Sequence, residues 1–178
     1  GDPAANDLHH RGRLAELDLA KIPNRPRLRP ELARAGWDPK RRHSQPWLAG
    51  MAGLAYDPTL TARPITAVSD LFDPAFAGRV HLLEDLRDGL GMVMAAQGHP
   101  VSHPTQAAVD QAVAALVPFR QSGQIARFTG DAGFADLVSG AVAIAQVRSG
   151  DMPGLVAQNP RLAFVVPQGG STLFARQM

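Results

Sequence analysis

Residues 141–147 read Ala-Val-Ala-Ile-Ala-Gln-Val, and residues 162–166 read Leu-Ala-Phe-Val-Val. Neither run alternates apolar with polar positions, so both faces of each strand are expected to be buried. That is the pattern of strands inside a parallel sheet covered by helices on both sides. Working outward, 51–56 (MAGLAY), ended by Asp57-Pro58, and 78–83 (GRVHLL) are two further strand candidates. Helical periodicity lies between and around them. A short helix capped by Asn6 carries Leu8 and Leu14, and another starts at Pro30. Residues 69–74 form one capped turn, and 86–97 form a helix stopped by Gly98. The strongest helix is capped by Ser102 or Thr105, carries Ala108, Val109, Ala112, Val113, Leu116 and Val117 on one face, and ends near Gly123. A last short helix, 134–138, is closed by Gly140. Strands alternate with helices. The expected class is α/β, a mostly parallel central sheet flanked by helices, in one domain spanning residues 1–178.

Composition narrows the function classes. The 178 residues carry 18 Lys+Arg against 16 Asp+Glu, a formal net charge of +2, and no cysteine. Disulfide frameworks, cysteine-ligated zinc, iron–sulfur clusters and thiol nucleophiles are excluded. No apolar run approaches the ~20 residues of a membrane helix, so no membrane insertion is expected. Residues 1–10 have no apolar stretch of the signal-peptide kind. The cations bunch early, at Arg25, Arg27, Arg29, Arg34, Lys40, Arg41 and Arg42, among prolines and with Trp37 as the sole aromatic. A nucleic-acid site would interleave several aromatics for base stacking. An extended surface loop with solvated guanidinium groups is expected instead, and no nucleic-acid partner.

Motifs of catalysis are missing: there is no G-x-S-x-G, H-E-x-x-H, P-loop or strand-following G-x-G-x-x-G. The chain is expected not to be an enzyme and to need no cofactor. Gly89 and Gly91 fall inside a helix, where close packing is their expected use. His9 and His10 are adjacent and point apart, His81 falls in a strand as a core or edge residue, and His99 and His103 flank a helix start. No metal site is expected. Charge does collect at strand ends. The strand 78–83 runs into Glu84-Asp85-Leu86-Arg87-Asp88, and 141–147 runs into Arg148-Ser149-Gly150-Asp151. In open parallel sheets ligands bind beyond the carboxyl ends of the strands. Asp85 and Asp88, three apart on a first helical turn, project to nearly one side and suit a cationic amine. The same pair also complements the helix N-terminus, and the residues alone leave both readings open.

The stretches LDLAKIPN (17–24), QPWLAGMAGLAY (45–56), DLFDPAFAGRV (70–80) and SGQIARFTG (122–130), in that order, resemble the spermidine/putrescine-type periplasmic substrate-binding proteins of ABC importers. Nearly the whole chain is covered. Such proteins have two α/β lobes around a ligand, and the chain resembles only the second. It starts where the first hinge crossover ends and stops by the Gly169-Gly170 turn, before the strand that would return to the first lobe. An isolated lobe is therefore expected, either cut from a longer protein or a natural single-lobe derivative. The family's pair of amine-holding acids matches Asp85 and Asp88. Its cleft tryptophan aligns with Arg148, and the tryptophan and aspartate after the Gly-Gly turn align with Leu173 and Ala175.

The aromatic walls and the last carboxylate are thus replaced, and an arginine stands where a cation is bound. The resemblance implies a polyamine-like ligand, or a zwitterionic ω-amino acid whose amine meets Asp85 and Asp88 and whose carboxylate meets Arg148 or Arg176. The other reading pairs Arg148 with Asp151 or Asp88 and makes the lobe a protein-interaction or dimerisation module without a small ligand. Expected partners are the solute, an ABC permease and, through the open cleft face, a homodimer mate. The implied location is periplasmic or extracellular, tethered to the membrane in the full-length protein.

Overall fold

The computed structural model describes residues 2–178. They form two compact units: Met51–Leu173, and the residues up to Gly50 together with Phe174–Met178.

The described residues form six strands: β1 (Pro46–Tyr56), β2 (Val80–Leu83), β3 (Ile125–Thr129), β4 (Ile144–Arg148), β5 (Ala163–Val165) and β6 (Leu173–Gln177). The sheet order is β3-β2-β4-β1-β5, with β6 also pairing β1. β2 is parallel to β3 and to β4, whereas β1 is antiparallel to β4 and to β5. Consequently β2, β3, β4 and β5 all run one way and β1 alone opposes them. The sheet is mostly parallel, but the run 162–166 is not an inner strand buried on both faces. β5 lies at the sheet edge, antiparallel to β1, and its three residues are half-buried. β1 starts five residues earlier than MAGLAY suggests because its first half belongs to the other unit, where Gln45 and Met178 exchange both backbone hydrogen bonds. β3 and β6 carry too many exposed side chains to be legible from hydrophobicity: the burial of β3 is complete only at Ile125.

Among the described residues six α-helices accompany the strands: α1 (Asp2–His10), α2 (Pro58–Thr61), α3 (Leu86–Ala96), α4 (Gln106–Gln121), α5 (Phe134–Ser139) and α6 (Met152–Gln158). Alternate residues of the central strands feed two cores. Leu54, Val80, Leu82 and Ile144 join Met92 of α3 and Ala112 and Leu116 of α4. Ala55, Ala145 and Val147 join Leu137 of α5 and Met152 and Leu155 of α6. Both sheet faces are therefore covered. On α4, which Thr105 caps, only the strict four-residue row Ala108, Ala112, Leu116 is buried, while Val113 and Val117 stay exposed. Two of the three side chains in that row, Ala108 and Ala112, are small where the helix packs on the core it shares with α3.

The expected helix at Pro30 is absent: residues 30–32 form a turn and 33 a bend. Nor are all the early arginines solvated. Arg41, with φ 51°, is 2% exposed and donates to Leu32 O, Arg34 O, Ser44 Oγ and Gln177 Oε1. Beside it Asp38 accepts from Arg42 N, His43 N and Ser44 Oγ. Among the described residues of this unit the buried ones are Asp38, Arg41, Ser44 and Gln45, so a guanidinium with satisfied donors organises its interior.

Candidate functional site

The site is built on the carboxyl ends of β2 and β4, within Met51–Leu173. Asp85 ends the β2 loop as the N-cap of α3, its carboxylate accepting from Arg87 N at 2.9 Å and Asp88 N at 3.4 Å. One turn in, Asp88 is 5% exposed. Such a charge needs partners, and each oxygen has them. Thr172 Oγ1 donates to Oδ1 at 2.8 Å. Arg148 Nε (2.8 Å) and Nη2 (2.7 Å) both meet Oδ2. Arg148 Nη2 also lies 3.5 Å from Asp85 Oδ2.

The strand pleat explains how β4 reaches α3. Ile144, Gln146 and Arg148 share one face. Gln146 Nε2 donates to Asp88 O at 2.6 Å, and its Oε1 accepts from Leu83 N at 3.1 Å. The helix start is thereby locked to the β2 end. Room for this approach comes from glycine. A Cβ on Gly89 would lie 2.5 Å from Leu83 O, and one on Gly91 2.6 Å from Thr172 Cγ2. Both glycines serve the close packing expected of them.

A cleft of about 390 Å³ opens here, lined by Leu83, Glu84, Asp85, Gly130, Asp131 and Arg148. The Glu84 carboxylate rests against Gly130, so close that a Cβ there would lie 3.0 Å from Oε1. Three carboxylates and one guanidinium, itself held by Asp88, line the opening. Such a wall attracts a cation.

The structure brings together Asp85, Asp88 and Arg148. Asp151 follows at the N-terminus of α6, its amide bonded to Arg148 O at 2.9 Å, and does not line the cleft. Leu173, 70% exposed, follows Thr172 directly. Ala175 and Arg176 lie on β6 in the other unit. Thr172, Gln146, Gly130 and Asp131 escaped the sequence reading. A signal existed for Gln146 alone, as the one polar residue inside an apolar strand. His81, on β2, is 4% exposed with Nε2 at 3.8 Å from Asp136 Oδ2, a core histidine. Among the described residues no group of three or more His, Asp or Glu is arranged to hold a metal.

Residues 3–177 match the sequence model of the bacterial extracellular solute-binding protein family. The chain is 28% identical over 164 residues to spermidine/putrescine-binding periplasmic protein 1 of Haemophilus influenzae, covering 92% of this chain and 45% of that protein. Among solved structures, a spermidine/putrescine ABC transporter substrate-binding protein from Streptococcus pneumoniae superposes with a TM-score of 0.85 at 22% identity, over 97% of this chain and 53% of that one. A putative spermidine/putrescine ABC transporter from Listeria monocytogenes gives 0.87 at 22%, over 98% and 53%. The chain thus spans about half the length of these relatives. It belongs to the bacterial extracellular solute-binding proteins.

Proposed function

We propose that this chain supplies the solute-recognition lobe of an ABC-transporter substrate-binding protein, centred on Met51–Leu173, and that its cleft takes a small cationic amine. The observation that carries the reading is the acidic wall of the cleft: Glu84, Asp85 and Asp131 against the single Arg148. The names of the relatives, which are spermidine/putrescine proteins, support the same ligand class. A cation is favoured over a zwitterion because the guanidinium that would fork a ligand carboxylate already grips Asp88 through Nε and Nη2. The protein acts without covalent chemistry, outside the cytoplasm and tethered to the membrane, and delivers its solute to a permease.

Calorimetry with putrescine, spermidine and 4-aminobutyrate tests this. The two polyamines bind and 4-aminobutyrate binds less well. A lobe that meets its ligand from one side holds it weakly, with a dissociation constant above about 1 μM, or ~8 kcal/mol. Flat traces for all three would overturn the reading.

A further inference from the structure

Asp88 is the most buried carboxylate of the site, and its charge is met from inside the protein. Arg148 leaves the end of β4, two residues beyond Gln146, with its side chain 21% exposed. Its guanidinium meets one oxygen of Asp88 through two nitrogens and reaches Asp85 with one of them, while Thr172 closes the other oxygen. Each carboxylate oxygen of Asp88 therefore has a donor within hydrogen-bond distance, and the donor facing the cleft is a cation. A ligand ammonium aimed at Asp88 meets a like charge first.

We propose that Arg148 is a resident cation occupying the inner amine seat at Asp88, so that the cleft selects amines by one ammonium group on the outer carboxylates Glu84, Asp85 and Asp131. This rests on the amine-binding reading above and names its specificity determinant. A diamine and a monoamine of equal chain length then differ little for the unaltered chain, since only one ammonium finds a seat. Removing the guanidinium opens the inner seat, and the diamine gains a second ion pair in a partly desolvated site.

The test has two arms. In the first, calorimetry compares putrescine with n-butylamine on the unaltered chain and on Arg148→Met, whose stem keeps the packing. The putrescine to butylamine affinity ratio is expected to rise about tenfold or more, one buried charge-assisted pair, on going to the variant. A ratio that stays put while both proteins bind amines overturns the proposal.

The second arm needs no natural ligand. In Arg148→Ala, n-propylguanidinium restores the missing group and raises Tm by about 3 °C or more when it is well above its dissociation constant. It does not do so in the unaltered chain or in Arg148→Ala/Asp88→Asn. A folded Arg148→Ala that propylguanidinium does not stabilise overturns the seat. If Arg148→Ala does not fold, Arg148→Met is used with guanidinium chloride at low millimolar concentration, under the same two outcomes. Amine traces that are flat everywhere, with the guanidinium effect intact, would remove the solute reading and keep the seat.

Discussion

Gln146 donates its side-chain amide to the main-chain carbonyl of Asp88 at 2.6 Å, and the same side chain accepts from the amide of Leu83 at 3.1 Å. One residue, 2% exposed, thus gives the Leu83 amide its partner and adds a second donor to a carbonyl of the first turn of α3. Gln146→Leu keeps the size and removes both partners. The Leu83 amide is left as an unpaired buried donor while Asp88 O keeps its helical partner, so a loss of about 1–3 kcal/mol is expected. Urea unfolding checks it as a fall in midpoint at unchanged slope. A loss under ~0.5 kcal/mol would mean that water replaces the amide.

Gly89 reverses the usual helix rule. In an exposed helix interior, Gly to Ala stabilises by ~1 kcal/mol. Here the new methyl would meet Leu83 O, a backbone atom that the β2 ladder holds. Gly89→Ala is expected to destabilise by about 1–3 kcal/mol, the cost of overpacking. Gly154, in α6 with open space around its Cα, is the control: Gly154→Ala is expected to raise Tm.

The legible parts of the fold are those that one chain segment encodes by itself. Residues 141–147 announce a strand buried on both faces because Ile144 serves one core and Ala145 and Val147 the other. The Asp85 cap and the Gly140 stop, with φ 83°, are likewise local. β3 was hidden because Arg127 and Phe128 are exposed, so its pairing with β2 rather than its pattern makes it a strand. The opposed direction of β1 is a property of the whole sheet. In the site, the acids were readable from strand-end charge. Thr172 was not, since it comes to Asp88 from 84 residues away and an isolated threonine carries no signal of its partner.

His81 gives stability a pH dependence near neutrality. Burial holds its imidazole below the ordinary histidine value; Asp136 opposes this and Arg127 assists. Its Nδ1 has no hydrogen-bond partner. The unfolded chain, with a histidine pKa near ~6.5, therefore binds a proton that the folded chain resists. The contribution is full above about pH 6.5 and is lost as pH falls through the folded value below it. His81→Gln is expected to flatten the slope of stability against pH in that window, measured by urea unfolding from pH 7.5 downward.

Asp57 acts lower on the scale. It is fully buried, and burial alone would raise its pKa, but Thr59, through both N and Oγ1, and Arg161 Nε outweigh that and hold it below the usual aspartate value. A depressed carboxylate contributes stability above its unfolded pKa of ~3.9 and loses it as pH drops further. Asp38, Asp70 and Asp73 are shifted the same way. Acid unfolding is expected below about pH 4. Asp57→Asn should weaken the chain at pH 7, and its acid unfolding should take up to one proton fewer.

The cleft carboxylates differ in what they already hold, and this ranks their mutants. Asp85 is tied to Arg87 N and Asp88 N as a cap, so Asp85→Ala costs helix stability of about 0.5–2 kcal/mol along with any amine affinity. Asp131 also lines the cleft, is exposed, and opens the single 3-10 turn Asp131–Gly133 after β3. Asp131→Asn should leave Tm within ~1 °C, because an exposed residue with no tertiary partner contributes little to folding. Its effect is expected on the ligand alone: putrescine affinity falls about two- to fivefold, the scale of one solvent-screened ion pair. The deficit shrinks between 20 and 200 mM salt as the Debye length shortens. Calorimetry at the two salt concentrations measures both quantities. An Asp131→Asn affinity equal to the unaltered chain at low salt would move the ammonium off Asp131, to Asp85 and Glu84.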